Sequence, residues 1–172
     1  MKYIVTLLYV FVIISSPASA TDLQVPFGSE LQNLIKNYNR ATPTLATSGT
    51  ISAGAVKELA EKGFATVIDL RTKNEGIAEE KKNVESAGMN YINIPVTGAG
   101  INHKQLAAFT KAIENTQAPI LVHCASGNRV GALWTTYRLS IGINSKIAFE
   151  EGRTAGMKRL LEEKIRASCQ TC

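Results

Sequence analysis

Pro119-Ile120-Leu121-Val122-His123-Cys124-Ala125-Ser126-Gly127-Asn128-Arg129-Val130-Gly131 is the stretch whose reading decides the fold. Ile120 to Val122 are branched and apolar, the composition of a short buried strand. A polar loop begins at Cys124, and Val130, Leu133, Trp134, Tyr137 and Ile141 then recur on one face of a helix. A strand that feeds small residues and then a helix N-terminus builds an anion cradle. The backbone N–H groups of Ala125, Ser126, Gly127 and Asn128 can turn inward, and the helix adds the positive end of its dipole. The same donors stabilise a thiolate on Cys124. Arg129, at the mouth of the helix, adds a bidentate fork suited to phosphate or sulfate oxygens. Cys124 and Arg129 are therefore the candidate catalytic residues. His123 either orients the loop and biases the charge on Cys124 or is an ordinary hydrogen-bonded strand residue.

Outward from this stretch, Ala65 to Leu70 is a near-continuous apolar run, the pattern of a strand covered on both faces. Asp69 and Arg71 stand at its C-terminal end, where they either support the anion loop from a neighbouring strand or pair with each other. Lys73-Asn74-Glu75-Gly76 reads as a polar loop, and the segment from there to Ala87 as a solvent-facing helix ended by Gly88. Tyr91 to Val96 is the next strand. A loop from Thr97 to Asn102 leads into a helix carrying Leu106, Phe109 and Ile113 on one face, with Asn102 as its cap. No Asp or Glu occurs from Ser86 through Ile113, so His103, the conventional acid within reach in sequence, is either a substitute acid at the mouth or an exposed histidine of no consequence. Earlier, Leu45 to Thr47 reads as an entry strand, and Ala53 to Lys62 as a helix capped by Ser52 and stopped at Gly63. Two further helices follow, from Ile143 to Glu151 and around Met157, Leu160, Leu161 and Ile165. Strands alternating with helices predict an α/β fold, a mainly parallel twisted sheet flanked by helices with the site at the strand C-termini.

The ends divide the chain. Lys2, the uncharged apolar run Tyr3 to Ile14, and Pro17 with Ala18-Ser19-Ala20 compose a signal peptide over residues 1–20, cleaved near Ala20, so the mature chain is expected to be periplasmic or secreted with no integral membrane segment. Residues 21–44 read as a helical lead-in, because Leu31, Leu34, Ile35 and Tyr38 fall at helical spacing before Pro43. The main domain spans 45–167. A tail, 168–172, carries Cys169 and Cys172, which form a local disulfide, serve as a redox partner of Cys124, or contribute to an incomplete metal site. A formal net charge of +5, with 19 basic and 14 acidic residues scattered over helix faces, argues for a solvated surface and against a nucleic-acid partner. No cofactor and no metal is expected. The expected partners are an anionic substrate and a thiol reductant that keeps Cys124 reduced.

His-Cys-Ala-Ser-Gly-Asn-Arg at 123–129 resembles the H-C-x-x-G-x-x-R loop of dual-specificity cysteine phosphatases, shortened by one residue. The four residues between Cys124 and Arg129 match the loops of many single-domain rhodaneses. Overall the chain is similar to a bacterial family, the beta-lactamase hydrolase-like, phosphatase-like domain. The similarity runs from about Leu45 to Leu160 and includes S-G-T-I-S from Ser48, V-I-D-L-R from Val67, N-I-P-V from Asn93 and E-E-G-R-T-A-G-M from Glu150. This resemblance implies a cysteine-phosphatase-like fold. The dual-specificity enzymes carry an Asp near the place of the Thr97–Asn102 loop, and a Ser or Thr often follows their Arg, where this chain has Val130. Three functions stay open: hydrolysis of an aryl, phosphotyrosine-like phosphate through a thiophosphate on Cys124, sulfur transfer through a Cys124 persulfide, and anion or partner binding without turnover.

Overall fold

The computed structural model describes residues 24–28, 31 and 34–169. The leader read at residues 1–20 lies outside them, as does Cys172. Strands β1 (Asn39–Thr42), β2 (Leu45–Ser48), β3 (Thr66–Asp69), β4 (Asn90–Asn93) and β5 (Ile120–His123) form one sheet in the order β1-β2-β5-β3-β4. β5 is central and pairs in parallel with β2 and β3, β4 extends the sheet in parallel beyond β3, and β1 closes the other edge antiparallel to β2. Helices α1 (Ala53–Glu61), α2 (Ile77–Ser86), α3 (His103–Asn115), α4 (Asn128–Ser140), α5 (Ser145–Thr154) and α6 (Arg159–Ser168) flank it. The expected α/β class and mainly parallel sheet are what the structure has.

Register sets the position of the site. His123 lies level with Ser48 on one side and Asp69 on the other, and Asp69 is level with Asn93. The chain therefore leaves β2, β5 and β3 along a common edge, at Gly49, Cys124 and Leu70. Successive residues of each strand point to opposite faces. Val67 and Leu121 join one core with Val56, Leu59 and Val84 of α1 and α2, while Ile68 and Val122 join a second with Phe109, Leu133 and Trp134 of α3 and α4. This two-sided burial is why β3 and β5 read as apolar runs without alternation.

α3 begins with a reciprocal cap, in which the Gln105 N–H donates to Asn102 Oδ1 at 2.9 Å and the Asn102 N–H donates to Gln105 Oε1 at 2.9 Å. Ser52 occupies the N-cap position of α1, but its side chain makes no capping bond. α4 and α5 touch at two glycines: a Cβ on Gly131 would overlap the carbonyl oxygen of Gly152, and one on Gly152 would overlap Thr135 Oγ1.

The predicted lead-in helix is corrected. Among the described residues, turns occupy Leu31, Leu34, Lys36 and Asn37, Ile35 bridges Ile51, and the chain enters β1 at Asn39. The helical spacing did mark inward residues, since Leu31, Ile35 and Tyr38 are all buried. A helix of about two turns is marginal by itself, and pairing with the free edge of β2 supplies backbone hydrogen bonds that it cannot match. Among the described residues no helix is long and apolar enough to cross a membrane.

Candidate active site

Cys124 follows the last residue of β5, only 1% exposed, and its Sγ accepts a hydrogen bond from the Gly127 N–H at 3.2 Å. Gly127 takes φ of 86°, and a Cβ there would stand 2.5 Å from the carbonyl oxygen of Ala155, so the loop can turn back on itself only with glycine at this point. The α5–α6 connection thus forms a wall against the loop, and it is fastened by the Lys158 N–H donating to Asn128 Oδ1 at 2.7 Å. This gives E-E-G-R-T-A-G-M a physical role, which is to support the cradle from behind.

Arg129, in the first turn of α4, donates from Nη1 to Glu75 Oε2 at 2.8 Å and from Nη2 to Glu75 Oε1 at 2.6 Å. Nη1 also donates to the Val96 carbonyl at 3.1 Å. Its pKa is raised, chiefly by the hydrogen bonds to Glu75 and further by the charge of the Cys124 sulfur. Glu75 ends a 3-10 turn, Lys73–Glu75, and its Oε2 also accepts from the Thr72 N–H at 2.8 Å. The hydrogen bonds from Arg129 hold its carboxyl at about 2, against an ordinary 4.5. The stabilisation from this pair is therefore complete above the ordinary value and is lost only as pH falls through about 2. A carboxyl held this far down does not donate a proton near neutrality, so Glu75 serves as the anionic partner of Arg129.

Behind the loop lies a buried charged cluster. Asp69 Oδ1 accepts from the Arg71 backbone N–H at 2.8 Å and from Arg71 Nε at 3.0 Å, and Oδ2 accepts from Arg71 Nη2 at 2.8 Å and from the Tyr91 hydroxyl at 2.7 Å. Arg71 Nη2 also stands 2.8 Å from Glu80 Oε1, and His123 Nε2 lies 2.8 Å from that oxygen and 3.5 Å from Asp69 Oδ1. The His123–Glu80 approach is short but poorly aligned, so neither ring nitrogen of His123 makes a hydrogen bond. Burial opposes the charge on Asp69, and Arg71, His123 and Tyr91 together outweigh it, leaving the carboxyl below its usual range. Burial and the Asp69 hydrogen bond push the Tyr91 phenol up. Asp69, Glu80 and His123 offer ligand atoms within 4.8 Å of one another, the spacing of a metal site, yet Arg71 already sits between the two carboxylates as their cation.

The structure thus places Cys124, Arg129 and the loop residues Ala125, Ser126, Gly127 and Asn128 in one turn, and gathers His123, Asp69 and Arg71 in the cluster at the end of β5. His103 is exposed at the start of α3 and makes no hydrogen bond or ion pair with the described residues. Cys169 is disulfide-bonded while Cys124 is free, so those two are not joined. Glu75, Glu80 and Tyr91 went unread in the sequence. Glu75 lay in an unremarkable polar loop, and Glu80 in a helix whose charge run is otherwise a wet face.

Replacing Glu75 by Gln keeps the shape and removes the charge that holds Arg129. The turnover number of an aryl phosphate is expected to fall about tenfold, close to 1.4 kcal/mol, as a charge-assisted pair becomes a neutral one. KM should not rise, since a negative charge has been taken from beside an anionic substrate. Steady-state kinetics of Glu75→Gln checks both quantities.

A free cysteine at the base of an amide loop, with an arginine one helical turn on and a parallel sheet beneath, defines the cysteine-phosphatase-like class. Residues 37–140 match the family described as beta-lactamase hydrolase-like protein, phosphatase-like domain, and the chain belongs to that family. It is 32% identical over 117 residues to a beta-lactamase hydrolase-like protein of Xylella fastidiosa, covering 65% of this chain and 26% of the relative. A protein of the same description from Agrobacterium fabrum is 29% identical over 100 residues, covering 55% and 23%. The chain thus spans about a quarter of the length of these relatives. Among solved structures, the core catalytic domain of the PP-IP phosphatase SIW14 from S. cerevisiae, in complex with citrate, superposes with a TM-score of 0.66 at 20% identity, covering 77% of this chain and 85% of that one. P. aeruginosa TpbA superposes at 0.63 and 20%, covering 77% and 84%, and a TpbA variant in complex with pTyr at 0.60 and 18%, covering 79% and 91%. At these identities the likeness establishes the fold.

Proposed function

We propose that this protein is a cysteine-dependent phosphatase acting on aryl, phosphotyrosine-like phosphate monoesters. The observation that carries the reading is the loop itself: the Gly127 N–H points at Cys124 Sγ, and the loop runs straight into Arg129 in the first turn of α4. In the first step Cys124 Sγ attacks phosphorus while the bond to the aryl oxygen breaks, and the loop amides and Arg129 take up charge on the equatorial oxygens. In the second step water attacks the thiophosphate, the S–P bond breaks, and phosphate leaves with the thiolate restored. Aryl esters are favoured because a phenolate leaves with little protonation, and Glu75, the carboxyl paired with Arg129, is held ionised. The pTyr complex of TpbA supports the same substrate class.

A second reading, sulfur transfer through a Cys124 persulfide, is favoured by the four-residue spacing to Arg129 and by its independence of a proton donor. One assay separates them. The reduced protein is offered p-nitrophenyl phosphate in one arm and thiosulfate with cyanide in the other. Phosphate release without thiocyanate is the expected result. Thiocyanate with a persulfide mass increment on Cys124 would replace the phosphatase by a sulfurtransferase, and neither product with retained tungstate binding would leave an anion-binding domain.

A further inference from the structure

We propose that Asn37 and Thr50 are positioning residues of the nucleophile loop, holding its carbonyls outward so that its amides face the anion. The inference rests on the phosphatase reading of Cys124 and Arg129. In a trans peptide unit the N–H and C=O point to opposite sides, so a loop that turns its N–H groups inward must turn carbonyls outward, and each of those needs a donor there. Four of these carbonyls, those of His123, Ala125, Ser126 and Gly127, have partners. The His123 carbonyl accepts from the Leu70 N–H at 2.9 Å, and the Gly127 carbonyl accepts from the Gly131 N–H at 2.8 Å. Those two are backbone bonds that the sheet edge and α4 supply. Between them the Ala125 carbonyl accepts from Thr50 Oγ1 at 2.7 Å, and the Ser126 carbonyl accepts from Asn37 Nδ2 at 2.9 Å. The middle of the loop is therefore held by two side chains, 75 and 89 residues away in sequence.

The placement of both donors is built. Asn37 adopts φ of 52°, a left-handed conformation that disfavours most side chains and that asparagine tolerates. Its turn is anchored where the Gly49 N–H donates to the Lys36 carbonyl at 2.7 Å, and Gly49 in turn bridges Ser126. Thr50 follows directly, so S-G-T-I-S both ends β2 and delivers a hydroxyl to the back of the cradle. Both residues are exposed, so no packing requirement explains either side chain.

The test uses Asn37→Gly, which keeps the left-handed turn and deletes the donor, Thr50→Val, which keeps the shape and deletes the hydroxyl, their combination, and Thr50→Ser as the restoring variant. Tungstate affinity by calorimetry, the turnover number and KM for p-nitrophenyl phosphate, and the unfolding temperature are measured on each. Each single change is expected to weaken tungstate binding and lower turnover about three- to tenfold, the scale of one hydrogen bond, and the pair more than either alone. Thr50→Ser should return both to the wild-type range, and unfolding temperatures should stay within a few degrees. Variants that bind and turn over like the wild type, or that lose only thermal stability, overturn the assignment. Wild-type protein that binds tungstate tightly but hydrolyses nothing would sink the phosphatase reading alone, because the affinity arm still decides the positioning role. Wild-type protein with no oxyanion affinity overturns both.

Discussion

Cys124→Ser is expected to lower turnover of p-nitrophenyl phosphate by at least about 10⁴-fold, the scale seen when the nucleophile of a covalent mechanism is removed, and to leave tungstate binding within a few-fold of wild type. The two halves of this result come from different atoms. Turnover needs the sulfur anion, and a serine hydroxyl in the same cradle stays protonated near neutrality. Binding needs the loop amides, the α4 N-terminus and Arg129, which the substitution does not touch. The nearly isosteric exchange at a position only 1% exposed should also leave the fold intact. Residual phosphate release at more than a few per cent of wild type would place hydrolysis on some other group.

The next largest effect is on stability. Asp69→Ala should destabilise the protein by about 3–5 kcal/mol, the cost of removing one member of a buried ion pair and leaving the other uncompensated. Asp69 is fully buried, and it accepts from Arg71 and from the Tyr91 hydroxyl. Its loss leaves the Arg71 guanidinium with Glu80 as its remaining ionic partner, and a buried phenol without its acceptor. The pH dependence has a definite sign. Because the folded carboxyl lies below its ordinary value, its contribution is complete above about pH 4 and is lost as pH falls through the lower folded value. The gap between wild type and variant, measured by urea unfolding, should therefore be widest near neutrality and narrow toward strong acid. A gap below about 1 kcal/mol at pH 7 would show that the cluster is held by the remaining partners.

The cluster explains why the sequence could name Asp69 and Arg71 without deciding between their two readings. Local pairing is correct, since the bonds run two residues along the chain. The strand end beside the loop is tied by backbone instead, where the Leu70 N–H donates to the His123 carbonyl at 2.9 Å. Deciding between them required Glu80 and Tyr91, which reach the pair from α2 and β4.

The strand–loop–helix at Ile120 to Ser140, the placing of Cys124 and Arg129 at the two ends of its loop, and the mainly parallel sheet were determined by sequence alone. Apolar runs, helical spacing and small residues before a helix N-terminus are local properties, and they hold wherever the segment is placed. Only the tertiary structure decided that residues 34–44 leave a turn as an edge strand, and that Glu75 clasps Arg129 from 54 residues away. It also decided that Asn37 and Thr50 catch the carbonyls at 126 and 125. These contacts come from strands that end level with one another, and no periodicity within a segment records which loops that register brings face to face.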